Sequence, residues 1–292
     1  MGHRSGFVNI LGNPNVGKST IMNALVGEKL SIITPKVQTT RHRILGILNG
    51  DGFQIVFSDT PGILKPRYRL QESMMTFVNT ALTDADIIVY VTDVEEKADT
   101  EGDYIRRIRE SGIPVILVIN KIDLSGQAEL ESLVDKWEAI FPGSLKIPVS
   151  ALSGFNINGL LKSILDKLPE GESFFPEGQL TDRYEKFFAS EIIREKILMN
   201  YQKEIPYSVE VEIESFREEE KINRIRAVIY VERESQKGIV IGHKGRMLKI
   251  TGTEARKEME EFFGKKVFLE LFVKVNKDWR DKPNMLKKFG YR

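Results

Sequence analysis

The feature that most constrains this chain is a glycine-containing loop between a strand-like run and a helical pattern. The loop spans Gly12–Thr20 with the sequence GNPNVGKST, after the apolar run 7–11 and before the helix-like pattern 21–26. Gly12 and Gly17 allow a tight curl in which successive backbone N–H groups point into one concavity. A helix beginning directly behind the loop adds partial positive charge. The pattern therefore predicts a phosphate-binding site rather than an ordinary glycine turn.

Two side chains in the loop have the chemistry that a bound nucleotide requires. Lys18 can reach the terminal phosphates as a point charge, and the hydroxyl of Ser19 can ligate Mg²⁺. We expect the whole loop to hold the phosphates, with contributions from Gly12, Asn13, Pro14, Asn15, Val16, Gly17, Lys18, Ser19 and Thr20.

The composition excludes several classes of function. The chain has 292 residues, enough for two ordinary domains, and contains no cysteine and only three histidines. Disulfides, thiolate metal sites and cysteine nucleophiles are therefore excluded, and a reducing cytoplasm is favoured. The sequence holds no apolar run of 18 or more residues, so we expect no membrane-spanning segment.

The small net charge of +1 conceals an asymmetry along the chain. Residues 221–292 hold 19 Lys and Arg against 9 Asp and Glu, whereas residues 176–220 hold 6 against 12. A basic last quarter on an otherwise acidic chain indicates a polyanionic partner, although a solvated basic face would give the same count.

Strand-like and helical patterns alternate through the first part of the chain. Apolar strands about 25–30 residues apart with amphipathic helices between them predict a mostly parallel sheet covered on both faces. The sequence Asn49-Gly50-Asp51-Gly52 predicts a hairpin at the start of this sheet. The predicted strands are 7–11, 44–48, 54–57, 87–91, 114–119 and 146–149, and the later predicted helices are 101–111, 127–140 and 156–168.

Four motifs close predicted strands, which is where ligands bind in such sheets. They are the glycine loop, Asp59-Thr60-Pro61-Gly62, Asn120-Lys121-Ile122-Asp123 and Ser150-Ala151-Leu152. Together and in this order they resemble the GTPases of the P-loop superfamily. The resemblance implies an α/β P-loop GTPase domain with a six-stranded, mostly parallel sheet.

The same resemblance assigns roles to the motif residues. Asp123 would accept hydrogen bonds from the guanine N1–H and exocyclic amine, Asn120 would support the loop and face the N7/O6 edge, and the Lys121 stem would lie over the ring. Ser150, Ala151 and Leu152 would line the base, with the Ala151 N–H at O6. Asp59 would hold Mg²⁺ through a water, and the Gly62 N–H would touch the γ-phosphate.

A threonine before the second strand would complete the Mg²⁺ shell when GTP is bound. We prefer Thr40, with Thr39 as the alternative. Lys18, Thr40 and Gly62 are accordingly the candidate catalytic residues.

Two positions bear on how GTP would be hydrolysed. Ile63 follows Gly62, where Ras-like enzymes carry the glutamine that orients the attacking water. We therefore expect slow intrinsic hydrolysis to GDP. Asn15 resembles the asparagine that helps to bind K⁺ in potassium-stimulated relatives, but an asparagine that shapes a tight turn is an equal alternative.

A proline- and glycine-containing acidic stretch predicts a linker at 171–183, between a GTPase domain at 1–170 and a second domain at 184–292. The second domain reads α-β-β-α-α-β, with a helix at 184–201, strands at 207–214, 222–231 and 266–275, and a helix at 246–263. A Gly-x-x-Gly turn joins its two middle helices. This order resembles an α+β KH domain of the bacterial type.

The turn lies in the basic quarter, where its glycines would let an RNA backbone approach closely. The predicted RNA contacts are Ile241, Gly242, His243, Lys244, Gly245 and Arg246. The apolar run 239–241 is typical of core residues, and the alternative is that one or two of them line the groove that holds the bases.

A GTPase domain followed by such a KH domain resembles the Era family of bacterial ribosome-assembly GTPases over essentially the whole chain. The resemblance implies GTP or GDP with Mg²⁺, binding to small-subunit ribosomal RNA near its 3′ end, and a role in maturing the 30S subunit. It also suggests a monomeric cytoplasmic protein with peripheral contact at the inner membrane. The alternative from another class is an RNA-binding scaffold whose nucleotide is structural and rarely hydrolysed.

Overall fold

The computed structural model of the protein describes residues 2–96 and 102–291. The described chain divides into two compact units. The first contains the chain up to Ser31 together with Thr40–Lys65 and Met74–Asp182, and the second contains Ile32–Thr39, Pro66–Ser73 and the chain from Arg183 onward. The segments Ile32–Thr39 and Pro66–Ser73 lie within residues 1–170, the range expected for the first domain. They nevertheless group with the second unit.

A six-stranded sheet forms the centre of the first unit, as predicted. Its strands are β1 (Arg4–Gly12), β2 (Ile44–Gly50), β3 (Phe53–Asp59), β4 (Ile87–Asp93), β5 (Val115–Asn120) and β6 (Leu145–Pro148). The order is β2-β3-β1-β4-β5-β6, in which only β2 is antiparallel to its neighbour. Every residue of β4 is buried, because both faces of the sheet are covered.

Five helices accompany these strands along the chain. They are α1 (Lys18–Val26), α2 (Arg69–Thr83), α3 (Asp103–Glu110), α4 (Gln127–Ile140) and α5 (Ile157–Lys167). The bounds of α4 match the prediction, and the predicted start of α3 at residue 101 lies outside the described residues. Helix α2 was not predicted from the sequence, although Leu70, Met74 and Val78 are fully buried at a spacing of four residues.

The register of the sheet brings the predicted motifs to one edge. Ile10 pairs with Asp59 between β1 and β3, and Asp93 pairs with Asn120 between β4 and β5. The glycine loop follows β1 directly. The carboxyl ends of parallel strands therefore form the ligand edge that the sequence predicts.

The expected linker is hydrogen-bonded to the first unit over part of its length. The backbone N–H groups of Phe174 and Phe175 donate to Oε1 of buried Gln54 at 2.7 and 3.0 Å. The Ile47 N–H of edge strand β2 donates to the carbonyl of Leu180 at 2.8 Å. The proline and glycine content predicted a domain boundary in this stretch. It did not predict that the backbone of the stretch would form these hydrogen bonds.

The second unit has the predicted α-β-β-α-α-β order with two additions. Its elements are α6 (Glu185–Asn200), α7 (Ile205–Ser208), β7 (Glu210–Glu218), β8 (Ile222–Val231), α8 (Glu234–Ile241), α9 (Arg246–Phe263), β9 (Lys266–Val275) and α10 (Pro283–Lys288). The short α7 and α10 were not predicted. The bounds of β8, α9 and β9 match the sequence prediction.

A three-stranded sheet of order β7-β8-β9 forms the base of this unit. Strand β8 is antiparallel to β7 and parallel to β9. One face of β8 presents Ile225, Ala227 and Ile229 to a core that includes Ile193 of α6 and Met259 of α9. The alternation of buried and exposed residues along β9 follows from having one face in this core.

None of the helices within residues 2–96 and 102–291 has the length and apolar character needed to cross a membrane.

Candidate functional site

The phosphate loop depends on the absence of side chains at two glycines. Gly12 has φ +148°, and a Cβ there would lie 2.2 Å from the carbonyl oxygen of Val91. Gly17 has φ +96°, and a Cβ there would lie 2.1 Å from Nδ2 of Asn120. Both positions are closed to L side chains by backbone angle and by space, which explains the glycines in the motif.

Lys18 lies inside the phosphate loop, where it is expected to contact the phosphates. Its side chain is buried, with Nζ donating to the carbonyl oxygen of Asn13 at 2.7 Å. Burial lowers the pKa of Lys18 to about 8, against the opposing attraction of Asp59 and Glu96. An anion bound in the loop would stabilise the charged form of this lysine.

Glu96 belongs to the surroundings of the loop and was not found from the sequence. Its carboxylate accepts hydrogen bonds from Asn13 Nδ2 and, at 2.6 Å, from Thr92 Oγ1. Burial raises the pKa of Glu96, and these two hydrogen bonds act in the opposite direction. The sequence contains no sign of this role, because Glu96 lies 83 positions from Asn13 and approaches the loop only in the folded chain.

The three predicted Mg²⁺ ligands converge. Ser19 Oγ donates to Asp59 Oδ2 at 2.6 Å and lies 2.8 Å from Thr40 Oγ1, which is 3.3 Å from the same carboxylate oxygen. The Asp59 carboxyl is fully buried, and its Oδ1 has no hydrogen-bond partner among the described residues. Two hydroxyls and a carboxylate are the oxygen donors that Mg²⁺ prefers. The residues present therefore fit that ion.

No group of three or more His, Asp or Glu side chains suited to a metal occurs elsewhere in the described parts of the chain. The alternative ligand Thr39 has other partners. Its hydroxyl lies 2.6 Å from Thr34 Oγ1 and donates to the carbonyl oxygen of Lys36 at 2.6 Å. The geometry thus favours Thr40 over Thr39 as the proposed ligand.

The motif after β3 packs closely on the phosphate loop. A Cβ at Gly62 would lie 2.7 Å from the backbone nitrogen of Pro14, and the Ile63 N–H donates to the Gly12 carbonyl at 3.1 Å. Gly62 is therefore beside the loop, as its predicted role requires. Asn15 has φ +65°, the left-handed conformation that asparagine tolerates better than most residues, so its turn-forming interpretation and its cation interpretation both fit.

Arg43 is committed to a structural cluster. Its Nη1 and Nη2 bind Asp84 at 2.5 and 3.0 Å, and its Nε donates to Ser58 Oγ at 2.6 Å. Arg41 is fully buried. Neither arginine has a side chain that is exposed for contact with a phosphate.

Asn120 joins three of the four motifs. Its Nδ2 donates to the carbonyl of Val16 at 2.9 Å, and its Oδ1 accepts the Ala151 N–H at 3.0 Å. The first contact supports the phosphate loop, as predicted. The second gives the Ala151 N–H a protein acceptor, so a contact from this group to guanine O6 would be shared with Asn120.

The other base-site residues differ in exposure. Lys121 has φ +60°, and its Nζ lies 2.5 Å from Asp93 Oδ2. Partial burial opposes the charge, but Asp93 and Glu95 raise the pKa of Lys121. Asp123 is exposed, and Leu152 is 88% exposed beside buried Ser150 and Ala151. An exposed carboxylate and exposed apolar carbons are the groups that a planar base with N–H donors would contact.

The Gly-x-x-Gly turn of the second unit is partly exposed and has three residues with positive φ. Gly242, Lys244 and Gly245 have φ values of +72°, +50° and +76°. A Cβ at Gly242 would lie 2.7 Å from Met247 Cγ, whereas a Cβ at Gly245 would meet nothing within 4 Å. Gly242 is thus needed for packing, and Gly245 leaves open space at the surface.

The polar side chains of this turn are available to a partner. His243, Lys244 and Arg246 are exposed, and Ile241 is half-buried. In the preceding apolar run Val240 is fully buried and Ile239 is 50% exposed. The core interpretation therefore holds for Val240, while Ile239 lies at the surface near the turn.

Comparison with protein families matches both parts of the chain. Residues 7–121 match a family described as "50S ribosome-binding GTPase", and residues 204–280 match the KH domain family. The protein "GTPase Era" of Syntrophus aciditrophicus is 48% identical over 291 residues, covering 99% of this chain and 95% of that protein. "GTPase Era" of Geotalea daltonii is 45% identical over 98% of this chain and 97% of its own length.

Two solved structures are similar along the whole chain. A crystal structure of Era in complex with MgGDPNP and nucleotides 1506–1542 of 16S ribosomal RNA has a TM-score of 0.95 and 42% identity, covering 99% of both chains. A variant of Aquifex aeolicus Era bound to GDP and AlF₄⁻ has a TM-score of 0.94 and 42% identity, with the same coverage.

Proposed function

This chain belongs to the Era family of GTPases, and from that premise we propose that it is a GTP-driven switch in assembly of the small ribosomal subunit. The switch binds GTP with Mg²⁺ in the first unit and ribosomal RNA through the exposed turn of the second. Its functional parts are a GTPase domain at 1–170, a linker at 171–183 and a KH domain at 184–292. The observation that carries the proposal is the convergence of Ser19, Thr40 and Asp59 beside Lys18 at one sheet edge.

The residues of this edge would divide the work on the nucleotide. Lys18 would neutralise the terminal phosphates, and Mg²⁺ held by Ser19 and Thr40, and by Asp59 through water, would supply further positive charge to the phosphoryl group. Gly62 would offer its N–H to the γ-phosphate. Asp123 would select guanine by accepting hydrogen bonds from the N1–H and the exocyclic amine of the base, because adenine lacks that pair of donors.

Hydrolysis would be slow in the isolated protein. Ile63 stands where Ras-like enzymes place glutamine, and an isoleucine side chain neither donates nor accepts a hydrogen bond. K⁺ near Asn15 would be an additional cation for the phosphates. Positioning and electrostatic stabilisation, rather than a general base, would then account for most of the rate.

The proposed partners are the 3′ region of 16S ribosomal RNA and the 30S subunit. One Era structure similar to this chain was solved in complex with nucleotides 1506–1542 of that RNA. In this chain the basic quarter and the exposed side chains of His243, Lys244 and Arg246 favour an RNA backbone. We propose a monomer in the cytoplasm; peripheral membrane contact stays a prediction of the resemblance alone.

Multiple-turnover phosphate release tests the switch against the scaffold alternative. A switch turns over GTP many times per protein molecule, and its rate changes when an RNA with the sequence of the small-subunit 3′ end is added. A scaffold with a structural nucleotide releases no more than one phosphate per molecule in either condition. One turnover or fewer over a day at saturating GTP would refute the switch.

The RNA site has a separate test in Gly245→Asp. The added carboxylate enters open space, where it opposes the RNA phosphates by charge, so we expect RNA affinity to fall at least ten-fold, about 1.4 kcal/mol. Gly264 is a matched control, because it has φ +61°, has equally open space and lies at the other end of α9. Gly264→Asp should bind RNA as the wild type does. Equal RNA affinity in both variants would refute the turn as the RNA site.

A further inference from the structure

The three-stranded sheet of the second unit has an outer face that points away from the core, and neither the sequence motifs nor the proposed function gives it a role. Successive side chains of a strand point to opposite faces. In β8, Ile225 and Ala227 lie in the core, whereas Arg224 and Arg226 are exposed. In β9, every second residue from 266 to 274 is exposed in the same way. The outer face is therefore a surface formed by all three strands.

Two aromatic rings stand exposed on this face. Near the end of β8 the face is covered, because Tyr230 is buried with its ring 5.3 Å from that of Phe289, directly after α10. Farther along the face, Phe268 is 46% exposed and Phe272 is 38% exposed. They lie four positions apart on one strand, so both rings belong to the same surface. Large apolar rings grouped at a surface indicate an interaction site more often than single ones do.

An arginine lies against each of the exposed rings. Cζ of Arg226 is 4.4 Å from the centroid of the Phe272 ring, and Cζ of Arg224 is 5.5 Å from that of Phe268. A guanidinium group placed on a ring in this way still presents N–H donors at its edge, and these match a phosphate in geometry and charge. Apolar rings and anion-binding groups thus alternate on this face.

Basic residues outnumber acidic ones among the exposed residues of this face. Arg217 of β7 stands directly opposite Arg224 of β8, and like charges at facing positions destabilise an antiparallel pair. Glu219, in the turn after β7, offsets part of this repulsion through an exposed ion pair with Arg224 at 2.9 Å. A bound polyanion would stabilise both arginines. The exposed charged residues of the face are Arg217, Arg224, Arg226, Lys266 and Lys274 against Glu214 and Glu270.

We propose that this surface, defined by Arg217, Arg224, Arg226, Phe268 and Phe272 and called the outer sheet face, binds single-stranded RNA. Bases stack on the two phenyl rings, and the arginines hold the phosphates beside them. Exposed aromatic rings among basic residues on an open sheet are suited to unpaired bases in this way. The site adds to the proposed RNA contact at the Gly-x-x-Gly turn and does not depend on it, because the turn joins two helices and the outer sheet face is formed by strands.

The aromatic rings distinguish unpaired RNA from other polyanions. A duplex offers phosphates but keeps its bases stacked inside, so it would use the arginines and leave Phe268 and Phe272 in water. An acidic peptide would likewise need only the positive charges. Unpaired RNA uses both sets of groups, since every nucleotide carries a phosphate and every base has a π face.

The test uses the full chain with Gly245→Asp, bound to GDP and Mg²⁺, so that the turn contributes little to RNA binding. Its affinity for a fluorescent oligoadenylate is measured by anisotropy. Phe272→Leu keeps the apolar bulk and removes the π face, so we expect at least about five-fold weaker binding, as for loss of one stacked base. Phe268→Leu should have a similar effect. Phe272→Tyr keeps the ring and should bind as the parent protein does.

Two arginine variants separate phosphate contacts from a general effect of charge. Arg224→Gln should lower the slope of log affinity against log salt concentration by about 0.7, the value for one phosphate contact to a single strand. Arg106→Gln is the matched control, because its exposed side chain also forms an ion pair, with Asp103 of α3 at 2.8 Å. It should change neither the affinity nor the slope. Circular dichroism verifies that each variant is folded.

Three results would overturn the proposal. The first is no measurable binding of oligoadenylate by the Gly245→Asp protein at low salt. The second is equal affinity in the parent protein, Phe268→Leu and Phe272→Leu, which would leave the face without base stacking. The third is tighter binding of duplex RNA or polyglutamate than of oligoadenylate, which would assign the face to another kind of partner. If Gly245→Asp binds RNA as the wild type does, the turn loses its proposed role, and the two leucine variants still decide the role of the face.

Discussion

Replacing Asn120 by alanine should destabilise the protein even when no nucleotide is bound. The Asn120 amide is 3% exposed and bonds to the Val16 carbonyl and the Ala151 N–H, both of which belong to buried residues. Removing it leaves two buried backbone groups unpaired at about 1–3 kcal/mol each, so we expect a loss of about 2–6 kcal/mol in the free energy of unfolding. For a unit of this size, at about 2–4 °C per kcal/mol, that corresponds to roughly 4–24 °C in Tm.

Asp123→Ala is the matched comparison within the same motif. The Asp123 carboxylate is exposed and bonds to no side chain in the described parts of the protein. Its removal should abolish tight GTP binding and leave the Tm of the nucleotide-free protein unchanged. Asn120→Ala should instead lower both.

Calorimetry of nucleotide-free protein, prepared with a chelator and phosphatase, separates the two expectations. If Asn120 acted only on the base, the Tm of nucleotide-free Asn120→Ala would equal that of the wild type. That result would refute the view that Asn120 holds the phosphate loop and the Ala151 backbone together.

Three further predictions concern the nucleotide. Burial lowers the pKa of Lys18 to about 8 from 10.5, so the folded state without nucleotide and Mg²⁺ binds fewer protons than the unfolded state between these values, and its stability should rise with pH there by about 2 kcal/mol up to pH 9.5. Urea unfolding should show this rise in the wild type but not in Lys18→Met, and bound GDP should remove it. Asp123→Asn should lose GTP and gain xanthosine triphosphate by several powers of ten, because the new amide suits the C2 carbonyl; unchanged GTP affinity would contradict the assignment. Replacing K⁺ by Na⁺ should slow hydrolysis, and Asn15→Ala should erase that difference; equal rates in both salts would remove K⁺ from the site.

The strands and helices that the sequence predicted best are those whose periodicity is set by a buried face. Strand β8 and helix α9 have the predicted bounds, because alternating or helical apolar positions face one continuous core. The four motifs also lie at one sheet edge, since parallel strands bring their carboxyl ends together. Local pattern and global topology agree in these places.

Helix α2 was not predicted, although its sequence contains a helical signal. Polar residues between its apolar positions concealed a spacing of four residues at Leu70, Met74 and Val78, all fully buried. The signal was present and could have been found by counting matches to a helical template. The short helix α10 near the chain end has too few residues to show a period.

The residues that the sequence could not reveal share a physical property: their partners are backbone groups or side chains distant along the chain. Gln54 bonds to backbone groups about 120 positions away, and Asn120 reaches back 104 positions to Val16. No spacing rule connects such pairs, because the fold brings them together only after the sheet has formed.

Asn23 shows that closeness along the chain is not enough either. Its amide oxygen accepts the backbone N–H groups of residues 30 and 31, but an asparagine in a sequence gives no sign of such hydrogen bonds. Motif residues contact the ligand and can be recognised by their own chemistry. The residues that hold them in place are recognised only by the unpaired groups that their removal would leave, which is why Asn120→Ala tests the architecture of the site rather than its chemistry.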